Sequence, residues 1–149
     1  SHGPEIVEVN PRLMGGSLPF LYSRTYDRDV FECLLGVYID GCLPISENAV
    51  GSGYGISCLF GSLEKSILPD EIDMSWVNEF SPFELRLNLF HTSGSHVFRL
   101  RSNHDYIGRF ILRANDWKTA ESVRNQVLKK LEISLGCPLV RPEMILDNI

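Results

Sequence analysis

The sequence predicts an α+β fold, an antiparallel β-sheet with helices packed on it. Two patterns predict it. Residues 84–90 alternate strictly, with Leu85, Leu87 and Leu89 against Glu84, Arg86 and Asn88, the period of a half-buried strand. From Asp116 the period lengthens to that of a helix. Trp117, Ala120, Val123, Val127, Leu128 and Leu131 make one apolar stripe, expected in the core, while Lys118, Glu121, Lys129 and Lys130 face solvent. The order is strand, helix, helix, then an antiparallel meander, then this closing helix.

The elements follow in order. Residues 4–10 read as the first strand, with Val7 and Val9 on one face and Ile6, Glu8 and Asn10 on the other. Pro11 and the pair Gly15-Gly16 punctuate a loop over residues 11–17. Residues 18–26 predict a short helix with Pro19 in its first turn, where proline is tolerated. Asp27 or Asp29 can cap a second helix over residues 30–39, which Gly41 ends. That helix is apolar nearly all round, so burial on more than one side is expected. Residues 54–60 and 62–68 read as a hairpin across Gly61, residues 69–82 as loop with a helical turn near 74–79, and residues 97–100 and 106–114 as further strands. Residues 135–149 form a tail with two prolines.

The bulk numbers narrow the class. At 149 residues, 44% hydrophobic and 22% charged, the chain suits one globular core, or a small lobe plus part of a neighbour. Net charge is −5 and the basic residues are scattered, so no nucleic-acid partner is expected. No apolar stretch approaches the ~20 residues of a membrane span, so no membrane partner is expected either. Cys33, Cys42, Cys58 and Cys137 form no CxxC pair and read as free thiols of a reducing compartment, which points to the cytoplasm. Ser1-His2 resembles a cloning-vector remnant, and no signal peptide is visible.

The chemistry concentrates in the run Glu8-Val9-Asn10-Pro11-Arg12-Leu13-Met14-Gly15-Gly16-Ser17. Glu8 and Asn10 offer a carboxylate and an amide oxygen on one strand face, the hard donors that magnesium takes alongside substrate phosphates. Arg12 offers a planar fork for phosphate or carboxylate. The N–H groups of Gly15, Gly16 and Ser17 lie just before a helix, where unpaired donors and the dipole favour an anion. Taken alone, the same residues also read as a capped edge strand with solvated side chains.

Glu8-Val9-Asn10-Pro11-Arg12 followed by Gly15-Gly16 resembles the end of an ATP-grasp domain, where the pattern is E-[IV]-N-P-R-x-x-G-G. The following helices and connection resemble the carboxylate–amine ligase branch, similar to L-amino-acid (dipeptide) ligases and more distantly to biotin carboxylase. Residues 53–60 resemble the first strand of that branch's C-terminal lobe. Residues 103–112 resemble its D-R-[LI]-G-Y-[VI]-[IL] strand, and the helix from Asp116 its closing helix. The resemblance covers most of the chain and is most specific at residues 5–17.

This resemblance implies a C-terminal fragment of an ATP-grasp fold. Residues 1–2 would be the remnant, 3–41 the end of the catalytic domain, 42–52 a linker and 53–149 a β-rich lobe with its closing helix. It implies that Glu8 and Asn10 bind magnesium between ATP phosphates and that Arg12 contacts phosphate or the acyl phosphate as a catalytic residue. Gly15, Gly16 and Ser17 would hold the carboxylate substrate through backbone amides. The implied activity joins a small-molecule carboxylate to an amine at the expense of ATP. The family's glycine-rich loop, ATP lysines and second acidic ligand belong upstream of this motif. The isolated chain is therefore expected to be inactive and not to bind ATP or magnesium, and whether it is itself an enzyme stays open. Its expected partners are the upstream ATP-grasp lobes and a second copy in a homodimer. The alternatives are a noncatalytic assembly or binding domain of a fusion enzyme, and a biotin-carboxylase-type ATP-grasp enzyme.

Other polar residues carry weaker signals. Arg86, Arg99, Arg101, Arg109 and Arg113 stud the strands and read first as solvated faces, second as groups turned toward a substrate. Asn103-His104-Asp105 reads as a surface turn. His91 and His96 flank the Ser93-Gly94-Ser95 turn without a third metal ligand, and Tyr22, Arg24 and Tyr26 read as packing or anchoring residues.

Overall fold

The computed structural model describes residues 15–41 and 51–141, and the expected first strand at 4–10 lies outside them. The architecture is α+β. It is organised on the strand Tyr106–Ala114, of which Ile107, Gly108, Phe110, Ile111, Leu112 and Ala114 are buried. A strand with apolar residues buried on both faces belongs in the middle of a sheet, since both faces then need cover. In chain order the strands are β1 (Tyr54–Gly61), β2 (Ser66–Ile67), β3 (Arg86–Leu89), β4 (His96–Val97) and β5 (Tyr106–Ala114). β1 and β3 flank β5, both antiparallel to it, in the order β1-β5-β3.

This order corrects the expected meander, because the last strand is central. β1 carries Gly55, Ser57 and the exposed Leu59 on one face and β3 carries Arg86 and Asn88 there, so each covers its apolar residues on the other face alone and suits an edge. The expected hairpin of residues 54–60 with 62–68 also does not form. One glycine is shorter than the two-residue loop a tight hairpin needs. The chain instead leaves β1 through a register shift at Phe60/Gly61. Leu100 N–H then donates to Ser62 O at 2.8 Å and Leu63 N–H to Pro138 O at 2.9 Å. Ser62 is fully buried, and its hydroxyl donates to Pro138 O at 3.3 Å and accepts from Glu64 N–H at 3.2 Å. β2 pairs only with β4, in a separate two-stranded ladder.

The helices are α1 (Leu18–Tyr26), α2 (Val30–Asp40) and α3 (Trp117–Leu135). α3 starts where Asp116 accepts from Thr119 N–H at 2.9 Å, and ends at Gly136 in the left-handed region. It buries Ala120, Val123, Val127, Leu128, Leu131 and Leu135 against the sheet face that bears Cys58, Phe60, Phe110 and Leu112. Trp117 departs from expectation: it is 52% exposed and meets Tyr54 edge-on, with ring centroids 6.3 Å apart. It is the first helical residue, placed at the end of the sheet where Tyr54 is itself exposed. The 3-10 helix Ser75–Phe83 closes another side of the core with Trp76 and Phe80, and Trp76 Nε1 donates to Ser134 Oγ at 2.9 Å.

α1 lies on the opposite sheet face. A Cβ at Gly55 would stand 3.0 Å from Leu21 Cδ2 and 3.2 Å from Thr25 Oγ1, so the absence of a side chain there admits the helix. α2 begins where Asp29 accepts from Phe31 and Glu32 N–H, at 2.8 and 3.3 Å. Contrary to its expected burial, none of its residues is buried, and Tyr38 and Ile39 are more than three-quarters exposed. An all-round apolar sequence is a demand for cover, and within the described residues α2 packs chiefly on α1.

Cys33, Cys58 and Cys137 are free thiols. Burial pushes Cys58 up to about 11, against an opposing pull from the Arg124 charge, and burial likewise raises Cys137. Both are neutral thiols near pH 7 and serve as packing rather than as nucleophiles. Among the described residues no helix is long and apolar enough to cross a membrane.

Candidate functional site

The sheet face under α1 is the chemically distinctive part of the molecule. Residues opposite one another in an antiparallel pair point the same way. The register pairs Gly55 with Arg113, Ser57 with Ile111, Leu59 with Arg109, Arg86 with Ile111 and Asn88 with Arg109. Arg86, Asn88, Arg109 and Arg113 therefore share the face that carries α1, while Phe110 and Leu112 serve the core. Of the five arginines expected on solvated strand faces, Arg109 and Arg113 are half-buried, while Arg86, Arg99 and Arg101 are exposed.

Each of the three arginines on the α1 face is engaged differently. Arg86 stacks its guanidinium 4.3 Å from the centroid of Phe20 in α1. Arg113 Nη1 donates to Glu84 Oε1 at 3.2 Å, and its Nη2 to the carbonyl and hydroxyl of Ser52 at 2.7 and 2.8 Å. Arg109 is half-buried and makes no hydrogen bond or ion pair among the described residues. Its Nη1 lies 3.7 Å from the position a Cβ would take on Gly16.

That neighbour is the expected substrate loop. Gly15 and Gly16 are exposed, and Gly16 has φ +67°, a backbone geometry that glycine adopts without strain. Ser17 precedes the first turn of α1 and makes no side-chain cap, while its carbonyl accepts Leu21 N–H at 3.0 Å. Pro19 removes one donor from the turn. The helix thus begins with uncapped N–H groups, the positive end of its dipole, and a guanidinium close beside it. This arrangement attracts an anion of carboxylate or phosphate type. Of the sequence-predicted site residues, Gly15, Gly16 and Ser17 are placed together here. Glu8, Asn10 and Arg12 lie outside the described residues.

Arg109 enters the sequence reading only among five strand arginines, with a turn toward substrate as the second reading, and is not singled out there as the neighbour of Gly16. Its one sequence signal is parity: it falls out of phase with Phe110 and Leu112 on a strand otherwise apolar. The element lying over that parity is set by packing, which no local pattern encodes.

The far end of α1 is held by a charged bridge. Glu84 sits in the left-handed region at φ +51° and accepts from Arg24 Nε at 3.0 Å, as well as from Arg113. Ser52 N–H donates to Thr25 O at 2.7 Å, which completes the tie between α1 and the sheet. Burial pushes the Glu84 carboxyl up, but the hydrogen bonds and charges of Arg24 and Arg113 outweigh it and hold it below the ordinary value. A lowered folded-state value means stability that is present above the unfolded value and lost as pH falls through the folded one. Glu84→Gln is therefore expected to cost about 1 kcal/mol at pH 7, the scale of a partly exposed ion pair. Urea denaturation at neutral and acid pH checks this, because the difference from wild type should vanish once Glu84 is protonated. An equal deficit at both pH values would locate the effect elsewhere.

Among the described residues no group of three His, Cys, Asp or Glu side chains is placed to hold a metal ion. No family model, curated protein or solved structure matches the chain.

Proposed function

We propose that this chain is the C-terminal part of an ATP-grasp carboxylate–amine ligase, and that the loop at the start of α1 is its carboxylate-binding wall. The observation that carries the reading is the placement of Gly15, Gly16 and Ser17 at the uncapped N-terminus of α1 beside Arg109. The motif Glu8-Val9-Asn10-Pro11-Arg12 runs directly into that loop.

In this reading the N–H groups of the loop orient the carboxylate, and Arg109 balances its charge from the sheet. A carboxylate oxygen attacks the γ-phosphorus of ATP, the bond to the β-phosphate oxygen breaks, and ADP leaves. The acyl phosphate that results is attacked at its carbonyl by an amine, which loses a proton as phosphate departs and the amide forms. Arg12 neutralises charge on the transferred phosphoryl group. Glu8 and Asn10 would hold magnesium, whose contribution when bound is electrostatic neutralisation of the phosphates. Their donor set, one carboxylate and one amide oxygen, suits that hard ion.

The ATP pocket requires lobes upstream of Glu8, so the 149 residues alone are expected to turn over no ATP. The exposed apolar surface of α2 supports their docking, or a homodimer, since such patches drive association. In a protein where these residues follow those lobes, Glu8→Ala and Asn10→Ala should each lower ATP-dependent amide formation by about a hundred-fold or more. Arg109→Ala should chiefly raise KM for the carboxylate and leave that for ATP near wild type. Wild-type turnover in both metal variants would overturn the assignment.

A further inference from the structure

At the end of the sheet where β1 finishes and β5 begins, a cavity of about 470 Å³ is lined by Leu63, Glu64, Lys65, Phe98, Arg99, Arg101 and Asp105. Its volume is that of a small-molecule pocket. Three cations reach it, and none forms an ion pair within 4.0 Å among the described residues. Elsewhere Arg24, Arg113, Arg124, Lys130 and Arg141 are each paired with a glutamate, while Arg86, Arg109, Lys118 and Lys129 form no ion pair among the described residues. What sets Lys65, Arg99 and Arg101 apart is that all three converge on one cavity. Neither of the cavity's two acids, Glu64 and Asp105, forms an ion pair with them among the described residues. Asp105 Oδ2 accepts from the N–H groups of Arg101 and Ser102, at 3.1 and 2.8 Å, and from the Ser102 hydroxyl at 2.9 Å. Phe98, 57% exposed, adds an aromatic wall, with Lys65 Nζ 5.8 Å from its centroid.

We propose that this cavity binds a small organic phosphate, with the phosphate in the forks of Arg99 and Arg101 and the organic portion against Phe98. Two guanidinium forks and an ammonium match a group with two negative charges and three acceptor oxygens better than a single carboxylate. An exposed aromatic ring gains from apolar contact with the rest of the ligand. The site is independent of the ligase reading, since it uses neither the Gly15-Gly16 loop nor Arg109.

Titration of the protein with phenyl phosphate, followed by backbone amide NMR, tests the proposal. Saturable shifts should be confined to residues 63–65 and 98–105, with inorganic phosphate binding several-fold more weakly, on the order of one buried ring contact. The double variant Arg99→Gln/Arg101→Gln should weaken phenyl phosphate about ten-fold or more. Phe98→Ser should abolish the preference over inorganic phosphate, and Lys118→Gln should change nothing. If the double variant does not fold, Lys65→Gln carries the comparison, with a smaller loss expected. Non-saturating shifts reproduced by sodium chloride at equal ionic strength would mean an adventitious ion only and overturn the proposal. So would tighter binding of succinate than of phenyl phosphate, or unchanged affinity in the variants.

Discussion

Phe110→Ala is expected to lower the free energy of unfolding by about 3–5 kcal/mol, the range for truncating a fully enclosed aromatic residue. Phe110 has no exposed surface and lies mid-way along the central strand. Its ring centroid is 6.1 Å from that of Phe60, on the face that α3 covers. β1 and β3 grip its backbone from both sides, so the strand cannot sag to fill the space left behind. The loss is a large share of the roughly 5–15 kcal/mol that holds a domain folded. Urea denaturation at pH 7 measures it, with Ile133→Ala as the control. Ile133 is 74% exposed, and its truncation should fall within about 0.5 kcal/mol of wild type. A Phe110→Ala loss below about 1.5 kcal/mol would contradict the central placement of β5.

Gly108→Ala acts by the opposite route, adding volume where there is none. A Cβ there would lie 2.6 Å from Asn88 O, 2.6 Å from Phe60 Cζ and 3.2 Å from Leu89 Cδ2. One obstacle is a backbone oxygen of the neighbouring strand and another is a ring enclosed in the core, so neither yields cheaply. The expected cost is about 3 kcal/mol, the upper part of the overpacking range. Phe60→Leu removes the ring contact but not the backbone one. A double-mutant cycle between the two positions should therefore show about 1 kcal/mol of favourable coupling without full rescue. Additive losses would place Phe60 away from Gly108 and refute the pairing of Phe60 with it.

Several elements were legible in the chain because their signals are local. α1 spans Leu18–Tyr26 and β5 spans Tyr106–Ala114, as proline placement and apolar runs indicated. α3 starts behind the Asp116 cap and ends at Gly136, where a carboxylate and a left-handed glycine satisfy helix ends within a few residues. The lone glycine between residues 54–60 and 62–68 was the misleading signal. Gly61 marks a register shift beneath Leu100 rather than a hairpin turn. Which strand pairs with which is decided by burial across long sequence separations, and the strand with apolar residues buried on both faces took the centre.

The candidate site divides along the same line. The spacing of glutamate, asparagine, arginine and the glycine pair is a property of one short run, and so is the expectation of a helix that begins just after it. That Arg109 stands beside Gly16, from a strand more than ninety positions later, belongs to the tertiary structure alone. The convergence of Lys65, Arg99 and Arg101 on one cavity belongs there too. Periodicity and capping are short-range effects and mark where elements begin, end and turn apolar. Strand order and the lie of α1 on the arginine face come from closing large loops to bury shared apolar surface. No residue carries that information in its neighbours.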